Sequence, residues 1–213
     1  MPKLFKIKIT TLDLIEVAEF SYSISTEKEQ RVILPSVSWQ QYEGLLSTLE
    51  DYPGLRLLYL QGNLEIFLPS PEHEMLKKVI ARLLERYAEE MNIPLHGYGS
   101  TTFRLEAKAR GLEPDECYCV QSLKDLPDFA LEVNLTSGGV DKLAIYQGLE
   151  VPEVLIWEDK KLQLFDLREG IEVVTRSQFF PELNFSLLAQ FVRPQDQPTT
   201  VKDFLVAIRT QVQ

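Results

Sequence analysis

The chain has 213 residues, 45% hydrophobic and 25% charged, a composition typical of soluble globular proteins and not of disordered or fibrous ones. No apolar run approaches the roughly 18 residues that a membrane span needs, and the N-terminus lacks a signal-peptide core, so we expect a cytoplasmic protein. The net charge of −10 counts against tight, non-specific binding to nucleic acid, although a local basic surface is compatible with it.

The N-terminal part of the chain predicts one short strand, one helix and one hairpin. The strand lies near Phe5–Ile9 and the helix runs from Trp39 to about Leu49. Ser38 and Gln41 form a capping-box pattern at the start of this helix. Two β-like runs, "LRLLYL" and "LEIFL", follow it, and the short "QGN" segment between them is typical of a hairpin turn.

A long helix is predicted from Pro71 to about Met91. Ser70 is a suitable N-cap, Pro71 fits the first helical position, and Glu72 favours the positive end of the helix dipole. Apolar residues recur along this segment at helical spacing, at Met75, Val79, Ile80, Leu83, Leu84 and Tyr87.

The remaining chain alternates between strands and helices. Strand-like runs cover 95–105, 116–120 and 129–134, and a helix follows from about Val140 to Leu149. The run "EVLIW" is typical of a buried strand, and "KLQLFDL" with "IEVVTR" indicates a further hairpin. Two C-terminal helices are predicted at Phe185–Phe191 and Val201–Val212, the second with a capping box at Thr200 and Asp203.

This order of elements predicts the α/β class. In the middle of the chain it reads helix, strand, strand, strand, helix, strand, and no linker-like composition interrupts it. We therefore expect residues 1–213 to form a single domain around a mixed central sheet, with an N-terminal hairpin and C-terminal helices.

The two cysteines, Cys117 and Cys119, lie two positions apart on a predicted strand. Strand side chains alternate, so both thiols point to one face, where a disulfide between such close neighbours would be strained. A zinc site needs more ligands than one Cys-x-Cys pair supplies. We expect both cysteines to be reduced and buried.

Acidic residues accompany two of the predicted strands. Asp115 and Asp128 each follow a proline and precede a strand-like run, and Glu132 lies within the second run. If the two runs form an antiparallel hairpin with its turn near Leu123 and Lys124, Asp115 lies opposite roughly Glu132, at about 4.5–5.5 Å. The alternation of side chains leaves the apolar residues of the second run on the other face.

Two carboxylates at such a distance repel each other unless one is protonated or a cation lies between them. Mg²⁺ accepts one or two carboxylates and keeps its waters, so Asp115 and Glu132 are candidate ligands for Mg²⁺ or Mn²⁺. Asp128 is four residues from Glu132, or about 13 Å along a strand. We therefore place Asp128 outside the ion's ligands, as a secondary candidate that fixes the start of the strand.

Further candidate residues flank this pair. Lys142 begins the following helix, and its ammonium could reach the carboxylates to position a water or stabilise charge on a phosphate; the alternative is a solvated lysine. Glu74 could add a carboxylate, or could simply be a favourable charge in a first helical turn. His73 could be a general base or a ligand, or a neutral imidazole that caps or packs. Tyr146 fits the apolar helix face and is expected in the core.

At these residues the chain resembles a known family. The segments "PSPEHE", "EPDECYCV", "PDFALEV" and "DKLAIYQGLEVPEVLIWE" occur in the order found in the Uma-type family of proposed restriction endonucleases, formerly a domain of unknown function. That family is assigned to the PD-(D/E)XK nuclease superfamily. The resemblance covers about residues 35–190, and it implies a restriction-endonuclease-like core of helix, three strands, helix and strand at about 70–158.

The resemblance also implies a function and a site. The implied function is a metal-dependent endonuclease acting on DNA, with Asp115 and Glu132 holding Mg²⁺ or Mn²⁺. Because cleavage of a duplex needs two active centres, we expect a homodimer. Glu74 matches the acidic residue of the first core helix. The superfamily lysine two positions after the glutamate is replaced by Asn134, and Lys142 takes the position that the Uma-type pattern uses instead. The alternative is a catalytically inactive nuclease fold that serves binding or assembly, which the net charge and the altered lysine position favour.

Overall fold

The computed structural model describes residues 4–7, 20–23, 28–49, 52 and 54–211. Within these residues the chain forms an α/β fold of strands and helices. The strands are β1 (Leu4–Ile7), β2 (Phe20–Ser23), β3 (Gln30–Leu34), β4 (Arg56–Leu60), β5 (Asn63–Leu68), β6 (Leu95–Gly97), β7 (Phe103–Leu105), β8 (Arg110–Leu112), β9 (Glu116–Val120), β10 (Phe129–Asn134), β11 (Glu153–Glu158), β12 (Lys161–Asp166) and β13 (Glu172–Val174). The α-helices are α1 (Trp39–Leu49), α2 (Pro71–Glu90), α3 (Lys142–Gly148), α4 (Phe185–Gln190) and α5 (Gln197–Gln211).

The larger sheet has six strands in the order β13-β12-β11-β10-β9-β6. It is mixed, because β10 pairs in parallel with β11 while the other neighbours pair antiparallel. In chain order its central part reads α2, β6, β9, β10, α3, β11, which is the helix, three strands, helix and strand of the expected restriction-endonuclease-like core. The predicted fold class is therefore confirmed.

A second, antiparallel sheet has five strands in the order β3-β5-β4-β8-β7, and β1 pairs separately with β2. The predicted hairpin is the β4–β5 pair of this sheet. The predicted run at 95–105 does not form one strand, because β6 belongs to the larger sheet and β7 to the second. Gly99, with a φ of +63°, lies between them in the left-handed region, where glycine is favoured and a regular strand is interrupted.

The larger sheet separates two hydrophobic layers. Phe129, Leu131 and Val133 pack with α2 and the C-terminal helices, whereas Ala130 and Cys117 pack with α3 and the second sheet. This is the expected alternation of side chains along β10. Each fully buried large apolar side chain contributes about 1.5–3 kcal/mol. The register of β10 is therefore strongly fixed, and Glu132 lies on the face that meets α3 and the second sheet.

Two of the three predicted helix caps are confirmed. Ser70 Oγ accepts a hydrogen bond from the His73 N–H at 3.2 Å, and Pro71 is the first residue of α2. At α1, the Ser38 N–H donates to Gln41 Oε1 at 2.8 Å and the Gln41 N–H donates to Ser38 Oγ at 3.2 Å. These contacts satisfy N–H groups that have no partner within the helix.

The capping box predicted at Thr200 and Asp203 is wrong, because α5 begins three residues earlier, at Gln197. Thr200 Oγ1 donates instead to the Phe191 carbonyl, and Asp203 pairs with Arg193 at 2.9 Å. At the two ends of the chain, parts of the predicted strand and of the last helix, at residues 8–9 and 212, lie outside the described residues.

Cys117 and Cys119 are free and buried, as predicted. In the part of the chain that the structure describes, no helix has the length and apolar character required to cross a membrane.

Candidate functional site

Asp115 and Glu132 occupy opposed positions at the end of the β9–β10 ladder. The ladder pairs Cys117 with Ala130 and Glu116 with Leu131, and Asp115 and Glu132 are the residues that adjoin this last pair on the two chains. This is the register predicted from the sequence. The two acids are buried, with exposures of 1% and 2%, so each carboxylate depends on protein groups for compensation.

Asp115 has three donors or ring nitrogens around its carboxylate. Arg56 Nη1 donates to Oδ1, and His73 Nε2 lies 2.7 Å from the same oxygen. The Val133 N–H donates to Oδ2 at 2.6 Å. Asp115 thereby joins β10, the second sheet and the first turn of α2 at one buried point.

Glu132 is held from α3. Lys142 Nζ lies 2.6 Å from Glu132 Oε2 and 3.3 Å from Asn134 Oδ1, and the Tyr146 hydroxyl donates to Glu132 Oε1. Burial and the negative charge of Glu132 hold the pKa of Tyr146 well above its ordinary value, so the hydroxyl keeps its proton. Lys142 and Tyr146 are one helical turn apart and therefore reach the same carboxylate. Tyr146 is in the core, as expected, and its hydroxyl also belongs to the site.

The loop between β10 and α3 is fixed by polar contacts that place Lys142. Glu65 Oε2 accepts from the Val140 N–H at 2.8 Å, and Asp141 caps α3 by accepting from the Ala144 N–H at 3.0 Å. Arg31 donates to the Gly138 carbonyl and, at 2.8 Å, to Thr136 Oγ1. The backbone that precedes Lys142 is therefore anchored to the second sheet.

Arg56 is a site residue that the sequence reasoning did not identify. It lies on β4, and its side chain is 7% exposed among the carboxylates of Asp115, Glu74 at 2.9 Å and Glu113 at 3.8 Å. A signal was present in the run "LRLLYL", because an arginine in an otherwise apolar buried strand requires acidic partners.

Glu74 and Glu113 form the side of the site that reaches solvent, with side-chain exposures of 43% and 25%. Burial raises the pKa of Glu74, but the hydrogen bond from Lys77 and the charge of Arg56 outweigh it, so this pKa lies below its ordinary value. Glu113 also lines a cleft of about 840 Å³ together with Arg104. Glu74 and Glu113 are therefore the carboxylates of this group that contact solvent most.

His73 is fully buried between two carboxylates, with Nδ1 2.6 Å from Glu29 Oε1 and Nε2 2.7 Å from Asp115 Oδ1. Burial lowers the pKa of His73, and the hydrogen bond with Glu29 opposes that shift. A neutral imidazole donates through one nitrogen only, so the second contact requires an additional proton shared among the three groups. His73 therefore contacts Asp115 from the protein interior and does not face the solvent.

Asp128 lies at the turn of the β9–β10 hairpin, where the Val120 N–H donates to Oδ2 at 2.8 Å and Lys124 Nζ lies 2.6 Å from Oδ1. These contacts fix the position at which β10 starts, as expected for Asp128. None of its described partners belongs to the group around Asp115 and Glu132.

The charges around the site do not balance. Six carboxylates take part, those of Glu29, Glu65, Glu74, Glu113, Asp115 and Glu132. Four permanent cations face them, those of Arg31, Arg56, Lys77 and Lys142. With every carboxylate ionised and the additional proton of the Glu29–His73–Asp115 group counted, one negative charge is in excess, which favours a bound cation.

Within the described ranges, no group of three or more His, Cys, Asp or Glu side chains is arranged to hold a metal ion. A Mg²⁺ ion commonly uses only one or two carboxylates and completes its shell with water and phosphate oxygens. Asp115 and Glu132 are carboxylates, which is the type of hard oxygen ligand that such a smaller set uses. Their chemistry therefore fits a magnesium or manganese ion.

Comparison with known proteins identifies a family. No curated protein matches the chain. The model of the Uma2 family, described as "Putative restriction endonuclease", matches residues 39–196. This range includes most of the site, namely Arg56, Glu74, Asp115, Glu132 and Lys142. Since the match covers most of the chain, the protein belongs to the Uma2 family.

Proposed function

We propose that the protein is a metal-dependent endonuclease that hydrolyses phosphodiester bonds in DNA. The observation that carries this proposal is that Asp115 and Glu132, both buried, adjoin the last pair of the β9–β10 ladder, with Lys142 2.6 Å from Glu132. Membership of the Uma2 family, described as "Putative restriction endonuclease", supports the same class of reaction.

Asp115 and Glu132 would hold the ion, Mg²⁺ or Mn²⁺. When bound, such an ion polarises the phosphate and lowers the pKa of an attacking water. Tyr146 and Lys142 hold separate oxygens of Glu132 and so fix its orientation. The excess negative charge of the site favours a cation electrostatically.

Lys142 and Glu74 have roles of their own in this proposal. The Lys142 ammonium stabilises negative charge that develops on the phosphate, or positions the attacking water. Glu74 is ionised and partly exposed, so it can accept a hydrogen bond from a water at the solvent side of the site. Cleavage of both strands of a duplex requires two active centres, and we therefore propose a homodimer.

We also propose that the whole chain is one functional unit. The nuclease core at about 70–158 lacks Arg56, which comes from β4 and pairs with Asp115. Glu29 and Arg31 also lie before this core and contact His73 and the loop before α3. The second sheet thus completes the site.

A second candidate function is a catalytically silent nuclease fold that serves binding or assembly. One observation favours it, namely that Asp115 and Glu132 are already paired with Arg56 and Lys142. Such internal pairing neutralises buried acids without an ion. This candidate predicts a persistent oligomer in light scattering and no nicking at any Mn²⁺ concentration.

A plasmid-nicking assay distinguishes the two functions. We expect Mn²⁺-dependent nicking of supercoiled plasmid by the wild type, and a loss of roughly 100-fold or more in Glu132→Gln and Asp115→Asn. Asp128→Asn is the matched control, since it changes an acid of the same hairpin that lies outside the site, and it should nick like the wild type. Wild type that neither nicks DNA nor binds Mn²⁺ in isothermal titration would overturn the nuclease proposal.

A further inference from the structure

We infer that Arg56 competes with the divalent ion for Asp115 and, once displaced, binds the phosphate of the DNA substrate. This inference rests on the nuclease function proposed above and assigns to Arg56 a substrate-binding role. It also couples binding of the ion to binding of DNA, because Arg56 leaves Asp115 when the ion binds and then contacts the phosphate.

The competition follows from the surroundings of Arg56. Its Nη1 donates to Asp115 Oδ1, so the guanidinium already supplies a positive charge at the proposed ion ligand. An ion bound to the same carboxylate would place two further positive charges beside the guanidinium. Like charges this close repel strongly in a buried site. The ion and Arg56 therefore weaken each other's binding to the Asp115 carboxylate.

The direction in which Arg56 would move is set by its other partners. Its Nη2 lies 2.9 Å from Glu74 Oε1 and its Nε 3.8 Å from Glu113 Oε1, and both acids reach solvent. The guanidinium therefore spans from the buried Asp115 to the open side of the site. On this side the planar guanidinium can donate two parallel hydrogen bonds to two oxygens of one phosphate.

The other nearby cations contact neutral groups as well as carboxylates. Lys142 pairs with Glu132 and also contacts Asn134 at 3.3 Å. Arg31 is bound to the Gly138 carbonyl and to Thr136 Oγ1. The described contacts of Arg56 are all with carboxylates, so they weaken when a divalent ion neutralises part of the acidic cluster.

The same charges predict coupling between the ion and DNA. Without an ion, Glu74 and Glu113 repel an incoming phosphate and neutralise Arg56. With an ion at Asp115 and Glu132, the field of the site becomes favourable to an anion and Arg56 is released. Each ligand should therefore raise the affinity for the other by the same factor, as thermodynamic linkage requires.

The first test measures Mn²⁺ affinity by isothermal titration of the full chain. We expect Arg56→Gln to bind Mn²⁺ roughly tenfold more tightly than the wild type, because the competing charge is gone. Arg168→Gln is the matched control, since Arg168 also pairs with two carboxylates, Asp166 and Glu153, away from Asp115. It should bind Mn²⁺ like the wild type.

The second test measures binding of a short DNA duplex with Ca²⁺ and with a chelator. Wild type should gain affinity for the duplex in Ca²⁺, and Arg56→Gln should lose most of that gain. Arg56→Lys retains the positive charge, and the same measurement is made on this variant if Arg56→Gln fails to fold. Its ammonium cannot pair with two oxygens as a fork, so the gain in Ca²⁺ should still fall.

The outcomes separate this inference from the proposed function. If wild type binds Mn²⁺ and Arg56→Gln binds it equally or more weakly, the competition is refuted while the nuclease proposal stands. If Arg56→Lys gains as much affinity for the duplex in Ca²⁺ as the wild type does, the proposed binding of phosphate by Arg56 is refuted. If neither wild type nor Arg56→Gln binds Mn²⁺, the nuclease proposal fails and this inference fails with it.

Discussion

The ammonium of Lys142 lies 2.6 Å from Glu132 Oε2, although the two residues are ten positions apart and belong to different elements. The cation therefore reaches the carboxylate from the first turn of α3 and not from β10. The strand position two residues after Glu132 holds Asn134, whose Oδ1 lies 3.3 Å from the same ammonium. A polar strand residue thus helps to hold a lysine that the helix supplies.

The Lys142–Glu132 pair provides the first prediction. Lys142→Ala leaves a buried carboxylate without its counter-charge, and breaking such a pair costs about 3–5 kcal/mol of unfolding free energy. We expect the nicking rate in Mn²⁺ to fall by roughly 100-fold or more as well. Urea denaturation and plasmid nicking measure the two effects.

Lys108→Ala is the control for this change, because Lys108 pairs with the exposed Glu150 on the surface. It should leave both measurements at their wild-type values. Equal losses in the two variants would show that Lys142 has no special role at Glu132.

The hydroxyl of Tyr146 provides the second prediction. Tyr146→Phe keeps the buried ring and removes only the donor to Glu132 Oε1, a bond to a charged group worth about 1.5–3 kcal/mol. We expect nicking to slow by about tenfold, because Glu132 loses one of the two side chains that fix its orientation. Tyr98→Phe removes a hydroxyl that donates to the Lys124 carbonyl, and it should not slow nicking. A rate unchanged in Tyr146→Phe would contradict the orienting role.

Gly148, the last residue of α3, provides the third prediction. A Cβ at this position would collide with Cδ and Nε of Arg110, whose Nε donates to the Ala144 carbonyl at 2.9 Å. Gly148→Ala should displace Arg110 and lower the unfolding free energy by about 1–3 kcal/mol. Because α3 carries Lys142, nicking should also weaken.

Gly44 in α1 is the control for this substitution, since no atom lies within 4 Å of a Cβ built there. Gly44→Ala should stabilise the protein by up to about 1 kcal/mol through helix propensity. Thermal unfolding of both variants measures the difference, and a stabilised Gly148→Ala would contradict the packing described for Arg110.

Glu153 provides a prediction about pH. Burial raises the pKa of this fully buried carboxyl above its ordinary 4.5, although hydrogen bonds from Ser177 and the Gln178 N–H oppose the shift. Between pH 4.5 and the higher folded-state pKa, the folded protein binds more protons than the unfolded chain, so stability falls as pH rises. Glu153→Gln should flatten this fall in denaturation curves measured over that pH interval.

Ser177→Ala is the complementary variant. Ser177 Oγ donates to Glu153 Oε2 at 2.5 Å and so lowers the pKa of the carboxyl. Without that bond the pKa rises further and the dependence of stability on pH should become steeper. A steeper slope in Glu153→Gln, or a flatter one in Ser177→Ala, would contradict the assignment.

Local chemistry made much of the core predictable. The alternation along β10 and the turn centred near Leu123 and Lys124 were sufficient to place Asp115 opposite Glu132, because strand register follows from the apolar face and the turn. Ser70 and Pro71 similarly predicted the start of α2, since capping depends on neighbouring residues only.

The contacts between sheets were not predictable in this way. Arg56 meets Asp115 across 59 positions, and His73 meets Glu29 across 44, and neither pairing leaves a periodic pattern in the sequence. The start of α5 was misplaced for a related reason. Thr200 resembles a cap, but its hydroxyl is used by the Phe191 carbonyl, a tertiary contact that overrides the local pattern.

The pairing of Arg56 with Asp115 has a consequence for how the protein matures. Bringing together groups 59 positions apart requires a long loop to close, and the entropy lost is recovered only when both sheets have docked. The acidic site is thus complete only once the two sheets have docked, and a nascent chain that has not yet reached Lys142 lacks it altogether.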